Sequence, residues 1–133
     1  DGGPIVVNVT VMNPLDLSLK AKLPFIADSG ASVTTIPERV AEELKLRPRG
    51  EADVEVADGR VVKMKLTSAL LRIGGKEIVA YIFYGPNFDA LLGLDVMEPL
   101  KIHIDVADRS LLIPLMVMKV LAIRLYDSGV KMG

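Results

Sequence analysis

The sequence predicts one all-β domain with one or two short helices. Apolar residues alternate with polar ones over many short runs, which is typical of strands with one buried face. Turn-forming pairs such as Asn13-Pro14 and Gly74-Gly75 separate these runs. A length of 133 residues fits a single domain with its own hydrophobic core, so we assign residues 1–133 to one domain.

Each element follows from a local signal. Asn13-Pro14 closes the first strand, proline and acidic residues at positions 37 and 38 begin the main helix, and Asp58-Gly59 supplies the positive φ angles of a tight turn. Pro99 breaks a second, short helix. In chain order, the predicted elements are strands over residues 5–11 and 15–23, a helix over residues 37–46, a hairpin over residues 54–62, strands over residues 62–67, 70–73 and 77–84, a short helix within residues 94–100, and a hairpin of residues 102–106 and 111–113.

Composition excludes several kinds of function. Sixteen basic and seventeen acidic residues give a net charge of -1, so charge does not favour nucleic acid or an anionic membrane as a partner. The chain has no cysteine and one histidine, which argues against thiol chemistry and metal sites, and we expect no cofactor. The longest apolar stretch, residues 111–118, is too short to span a membrane. We expect a cytoplasmic location, with an upstream targeting or anchoring segment left open because the sequence begins at Asp1.

One acidic residue stands out by its position. Asp28 follows a mostly apolar run, residues 23–27, and precedes a second run, residues 33–36. Asp-Ser-Gly alone is a common turn, but a carboxylate held between two buried strands is desolvated and has a shifted pKa, which is the profile of a functional acid. The same tripeptide at residues 127–129 lies close to the end of the chain, and there we predict an ordinary turn.

A second segment supports a catalytic role for this loop. Residues 90–95 form another apolar strand end that closes on a glycine and an acid. The order of an Asp28-Ser29-Gly30-Ala31 loop and a later hydrophobic-hydrophobic-glycine-x-acid segment resembles the retroviral-type (retropepsin-like) single-domain aspartic proteases. The resemblance runs from residue 5 to residue 113 and implies a retropepsin-like closed β-barrel, the acid protease fold.

The resemblance implies that Asp28 is catalytic and that activity needs two copies of the chain. An aspartic protease uses two acids and the chain supplies one, so we expect a homodimer in which two Asp28 carboxylates meet. By resemblance, Ser29 bonds across the dimer, Gly30 lets backbone N–H groups approach the carboxylates, and Ala31 keeps a subsite open. The expected function is hydrolysis of peptide bonds within an extended peptide or protein substrate.

Other residues receive roles from their position in the family pattern. The tip of the predicted hairpin over residues 54–62 consists of Ala57, Asp58 and Gly59. It falls where the family has its flap, although an ordinary surface hairpin explains the same residues equally well. Structural support of the active-site loop is expected from Leu92, Gly93 and Asp95. The extension of residues 114–133 goes beyond the pattern and is expected either in a dimer sheet or on the outside of the domain, with Met116 and Met118 as packing residues.

Two rival functions stay open on the sequence alone. A module of the same fold that binds peptides or dimerises without proteolysis fits the same motifs. A serine-type hydrolase using Ser29 or Ser32 fits less well, because the chain has no Gly-x-Ser-x-Gly motif. Its base would have to be His103, which alternates with isoleucines and is expected either to face solvent or to have a structural hydrogen-bond partner.

Overall fold

The computed structural model describes residues 4–56, 58–105 and 107–113. Over these ranges the chain is predominantly β with two short helices, as predicted. The strands are β1 (Ile5–Asn13), β2 (Asp16–Ala27), β3 (Thr35–Pro37), β4 (Gly50–Glu55), β5 (Val61–Ile73), β6 (Lys76–Gly85), β7 (Leu91–Leu92), β8 (His103–Asp105) and β9 (Ser110–Leu112), and the helices are α1 (Glu38–Glu43) and α2 (Leu94–Met97). Neither of these helices is long and apolar enough to cross a membrane.

Seven strands form one sheet that wraps around a core. Their order is β1-β2-β7-β3-β6-β5-β4, and β1 also pairs with β5 through residues 10–12 and 70–72. This extra pairing brings the sheet back onto itself, as in a barrel. Closure is partial at β7, which pairs with β2 through Leu91 and Leu92 and with β3 through Leu91 alone. The predicted β-barrel class is therefore confirmed, with an incompletely hydrogen-bonded wall behind the Asp28 loop.

The core is built by the alternation that the sequence shows. Inward positions on four long strands are fully buried, and they include Val9, Val11, Phe25, Ala69, Leu71, Ile73 and Ile82. Full burial of a large apolar side chain contributes about 1.5–3 kcal/mol relative to exposure. Burial of this face therefore fixes how the strands align with each other, because a slip of one residue would turn these side chains toward solvent.

The main helix is shorter than predicted. α1 spans Glu38–Glu43, whereas the sequence pattern favoured residues 37–46. Lys45 takes a left-handed conformation with φ 55, and the N–H of Leu46 donates to the carbonyl of Ala41 at 2.9 Å. Together with a bond from the N–H of Lys45 to the carbonyl of Glu42, this forms the terminating loop that usually contains glycine. No glycine marked the end of the helix, so the sequence did not reveal it.

Several expectations concern residues outside the described ranges. They are the flap residue Ala57, the extension of residues 114–133 with Met116 and Met118, and the second Asp-Ser-Gly at residues 127–129.

Candidate active site

Asp28 directly follows the end of strand β2, next to β7. Ala27 is the last residue of β2 and aligns in parallel with Leu92 of β7. The N–H of Asp28 then donates to the carbonyl of Leu92 at 3.0 Å, which extends the pairing by one further bond. The backbone of Asp28 is thus fixed by a segment far away in the sequence, while its side chain leaves the sheet.

The Asp28 loop is a tight turn around one carboxylate. Oδ1 of Asp28 accepts a hydrogen bond from the N–H of Gly30 at 2.8 Å, and the carbonyl of Asp28 accepts one from the N–H of Ala31 at 3.1 Å. A Cβ atom at position 30 would lie 3.1 Å from Oδ1 of Asp28, so a side chain there would crowd the carboxylate. Glycine at position 30 therefore allows the backbone N–H to approach this close, as the sequence predicts.

The expectation that Asp28 is buried is wrong for the single chain. Asp28, Ser29 and Gly30 are all exposed, because the loop turns outward after β2 instead of continuing between the flanking strands. Within the described residues, the hydroxyl of Ser29 forms no hydrogen bond, and Oδ1 is the oxygen of Asp28 that accepts one. One carboxylate oxygen and one hydroxyl are therefore free to bind a group from outside the chain.

Gly93 supports the loop by close backbone packing. A Cβ atom at this position would lie 2.5 Å from the carbonyl oxygen of Val33 and 3.0 Å from that of Ala31. The next residue, Leu94, donates its N–H to the carbonyl of Ala31 at 2.9 Å. The start of α2 thus lies directly against the chain that leaves the Asp28 loop, and only glycine allows this approach.

Thr34 and Asp95 form the polar half of this support. Thr34 is fully buried, and its hydroxyl donates to Oδ1 of Asp95 at 2.7 Å and accepts the N–H of Gly93 at 3.0 Å. Its backbone N–H donates to Oδ2 of Asp95 at 3.1 Å. Asp95 therefore holds the chain between the Asp28 loop and β3, which agrees with the structural role expected for it. The part played by Thr34 was missed, and its only sequence signal is a hydroxyl residue within the run of residues 33–36.

The hairpin expected to be the flap joins β4 to β5. The N–H groups of Val56 and Gly59 donate to the carbonyls of Arg60 and Val56, each at 2.9 Å. Among its described residues only Gly59 has a positive φ, 86, so the tip differs from the predicted turn with two such residues. Asp58 accepts the N–H of Arg60 at 3.0 Å and its guanidinium at 2.7 Å. The backbone bond, and then the side-chain bond, lower the pKa of Asp58.

Ser29 also lines a cavity. This cavity has a volume of about 460 Å³ and is formed with α2 and β8 by Leu94, Met97, Glu98, Lys101, Ile102, His103 and Ile104. His103 is exposed, as predicted, and it forms no hydrogen bond with Ser29 in the described part of the chain. No group of three or more potential metal ligands occurs among the described residues.

Comparison with known proteins agrees with this geometry. A model of the aspartyl protease family matches residues 7–96, and the chain therefore belongs to that family. No curated protein matches the chain. Two solved structures share its fold. The EIAV protease complexed with the inhibitor HBY-793 has a TM-score of 0.62 and 17% identity, and the match covers 74% of this chain and 89% of that one. The retroviral protease-like domain of Ddi1 from Leishmania major has a TM-score of 0.58 and 20% identity, covering 86% of this chain and 91% of that one.

Proposed function

We propose that the chain is a homodimeric aspartic endopeptidase in which two Asp28 residues, one from each copy, activate the attacking water. One observation carries the proposal: an exposed carboxylate with a free oxygen stands on a loop that β7, Gly93 and the Thr34–Asp95 bonds hold in place. A surface turn would not need such support. A rigid carboxylate is what acid–base chemistry requires, because misplacement by about 1 Å costs about 10²-fold in rate.

The chemistry follows from bringing two such loops together. Two carboxylates a few ångströms apart cannot both ionise, so the pair shares one proton. The ionised member takes a proton from water, while the protonated member donates a hydrogen bond to the carbonyl oxygen of the scissile bond. That hydrogen bond stabilises the negative charge that develops on the oxygen in the transition state. The symmetric dimer also explains how a chain with one exposed Asp-Ser-Gly loop among its described residues obtains two acids.

The remaining loop residues have roles consistent with their surroundings. The hydroxyl of Ser29 is exposed and without a partner within the described residues, so it is available to bond to the second copy. Partly buried apolar residues of the cavity beside it, Leu94 and Ile104, offer surface that the same contact would cover. The Asp58–Gly59 hairpin is proposed as the flap that closes over a bound peptide and excludes water.

The first test compares two chemically matched acids. Asp16 resembles Asp28 in being exposed and in accepting the N–H of the residue two positions later, Ser18, at 3.1 Å. Asp28→Asn should leave a folded dimer and lower the turnover of a peptide library by about 10²–10⁴-fold, because the pair loses its ionisable member. Asp16→Asn should change turnover little.

The dimer is tested by dilution. Peptidase activity measured alongside sedimentation should fall in proportion to the dimer fraction. Full activity from a demonstrated monomer, or from Asp28→Asn, would refute the proposal. A folded dimer that binds peptides but hydrolyses none at any pH would instead support the non-catalytic binding module.

A further inference from the structure

A second concave surface lies between the β1–β2 turn, the segment after α1, and strands β5 and β6. Its volume is about 840 Å³. Its apolar lining includes Leu15, Leu19, Leu46 and Val79. Its charged lining, among the described residues, consists of Lys45, Arg47 and Arg49, with no acidic residue. We call this surface the basic groove. It shares no residue with the Asp28 loop, the flap tip or residues 90–95.

The cationic side of the basic groove is fixed in place by hydrogen bonds. Asn13 is almost fully buried and donates its side-chain N–H to the carbonyl of Lys45 at 3.3 Å. Thr67, also buried, donates its hydroxyl to the carbonyl of Arg47 at 2.7 Å. Arg49 donates its backbone N–H to the carbonyl of Leu66 in β5 at 2.6 Å. The segment therefore presents its cations on a preorganised backbone, which lowers the entropy lost on binding.

Lys45 occupies a position that would suit glycine better. Its φ of 55 lies in the left-handed region, where side chains other than those of glycine and asparagine are disfavoured. A lysine at this position places a positive charge at the end of α1, and its left-handed conformation strains the local backbone.

Two of the three cations of the basic groove form no side-chain bond within the described structure, and the third, Arg49, donates its guanidinium to the hydroxyl of Ser68 at 3.2 Å. Lys45 and Arg47 form no side-chain ion pair there. Asp16 lies close enough for Lys45 to affect it, but the pKa of Asp16 is lowered chiefly by hydrogen bonds from the hydroxyl and N–H of Ser18, with the lysine a minor cause. The groove thus has positive charge without a strong internal counterion.

Exposed apolar side chains accompany these charges. Leu15 is 92% exposed and Val79 is 63% exposed, and both line the groove. An apolar surface with a polar rim is typical of protein interaction sites. A carboxylate-bearing segment could place apolar side chains on Leu15 and Val79 while its acids meet Lys45 and Arg47.

We propose that the basic groove binds an extended segment of a partner protein in which apolar and acidic side chains alternate. This inference goes beyond peptide-bond hydrolysis, because binding here requires no residue of the Asp28 site. Charge argues against the chain's own extension as the occupant. Residues 114–133 contain Lys119, Arg124 and Lys131 but a single acid, Asp127.

The experiment measures binding of a fluorescein-labelled peptide that alternates leucine and glutamate, by fluorescence anisotropy on the full chain. Arg47→Glu should weaken binding about fivefold to tenfold, because it replaces an attraction by a repulsion. Arg39→Glu is the matched control, since Arg39 is an exposed cation of α1 outside the groove. Binding should also weaken as ionic strength rises.

Two further variants separate binding from folding. Lys45→Gly should weaken peptide binding about two- to fivefold, yet leave the unfolding midpoint equal or higher, because glycine adopts the left-handed conformation without strain. Leu15→Ser should weaken binding without loss of fold, since Leu15 is almost fully exposed. If Lys45 and Leu15 had purely structural roles, these variants would not weaken peptide binding while keeping the fold intact.

Several results would overturn the proposal. They are absence of peptide binding, equal binding of the peptide with glutamine in place of glutamate, and equal binding by Arg47→Glu. A chain ending at Ile113 that binds far more tightly would show that residues 114–133 occupy the groove. Dissociation of the dimer by Arg47→Glu would identify a second copy as the occupant.

The test is independent of the proposed protease activity. Asp28→Asn should bind the labelled peptide as well as the parent chain does. The groove variants should hydrolyse a short peptide without acidic residues at the parent rate. Failure of proteolysis therefore leaves this inference standing, and failure of peptide binding leaves the proposed proteolysis standing.

Discussion

A methyl group at position 93 cannot be added without moving the chain that leaves the Asp28 loop. The Cβ of Gly93→Ala would begin 2.5 Å from the carbonyl oxygen of Val33, and contacts of this kind are essentially never shorter than 3.0 Å. The atom in the way belongs to the backbone, so it cannot rotate aside as a flexible side chain would. Overpacking of this kind typically costs about 1–3 kcal/mol.

The expected effect on activity is larger than the effect on stability. The carbonyl of Ala31 would also lie only 3.0 Å from the new methyl group, and Ala31 donates its N–H to the carbonyl of Asp28. Movement of this chain therefore shifts the Asp28 carboxylate, and a shift of about 1 Å costs about 10²-fold in rate. We expect Gly93→Ala to remain folded with a lower urea midpoint and a kcat reduced by about that factor.

The assay is urea unfolding at a fixed protein concentration, because the stability of a dimer depends on concentration. It is run together with kcat for a peptide substrate. Gly50→Ala is the matched control, since a Cβ at Gly50 has no atom within 4 Å and its φ is not in the left-handed region. An unchanged unfolding midpoint and kcat for Gly93→Ala would refute the close-packing argument.

Three further predictions test the support of the Asp28 loop, the proposed flap and the proposed pair of acids. Thr34→Val should lower the free energy of unfolding by about 1–3 kcal/mol, because it removes the hydroxyl that the buried N–H of Gly93 and the carboxylate of Asp95 both bond to. The control is Thr10→Val, which removes a hydroxyl without such bonds and should cost less in the same urea titration. The carboxyl of Asp58 should titrate by NMR below its ordinary pKa of 3.8. Since the folded pKa is the depressed one, its stabilising effect is present above 3.8 and is lost as pH falls through the folded value. Arg60→Gln should bring the titration only part of the way back, because the backbone bond remains; a full return would contradict that assignment. Finally, kcat/KM should depend on pH as a bell with its optimum on the acid side of neutral, since only the singly protonated pair is active; activity rising steadily to alkaline pH would contradict it.

The sequence predicts the parts of this fold that depend on local pattern. The partial alternation in residues 5–11 predicts a strand with one buried face, and β1 buries Val9 and Val11 while Val6 and Asn8 are exposed. The end of α1 was less predictable, because a lysine occupies the place where glycine usually ends a helix. Solvent exposure of Asp28 was mispredicted, since the two flanking strands bury their own residues but the loop between them turns outward.

For the candidate site, motif order pointed to two segments that the structure brings into contact, but not to the bonds between them. Gly93 and Asp95 were expected to support the Asp28 loop, and they contact the chain that follows it. Thr34 could not be singled out, because a threonine next to a strand is common and its partners lie 59 and 61 positions away. Such pairings depend on the whole fold, which no local pattern specifies.

The distance in sequence between the Asp28 loop and its supports has a consequence for how the chain folds. The loop's own turn can form early, because Asp28, Gly30 and Ala31 are neighbours. Its fixed position depends on the carbonyl of Leu92, on Gly93 and on Asp95, and contacts between such distant residues form slowly. A chain that lacks residues 91–95 therefore has the Asp28-Ser29-Gly30 tripeptide but not the contacts that fix its position. We expect assembly of the candidate site to be among the last steps of folding, so that Asp28 takes its fixed position only when most of the sheet has formed.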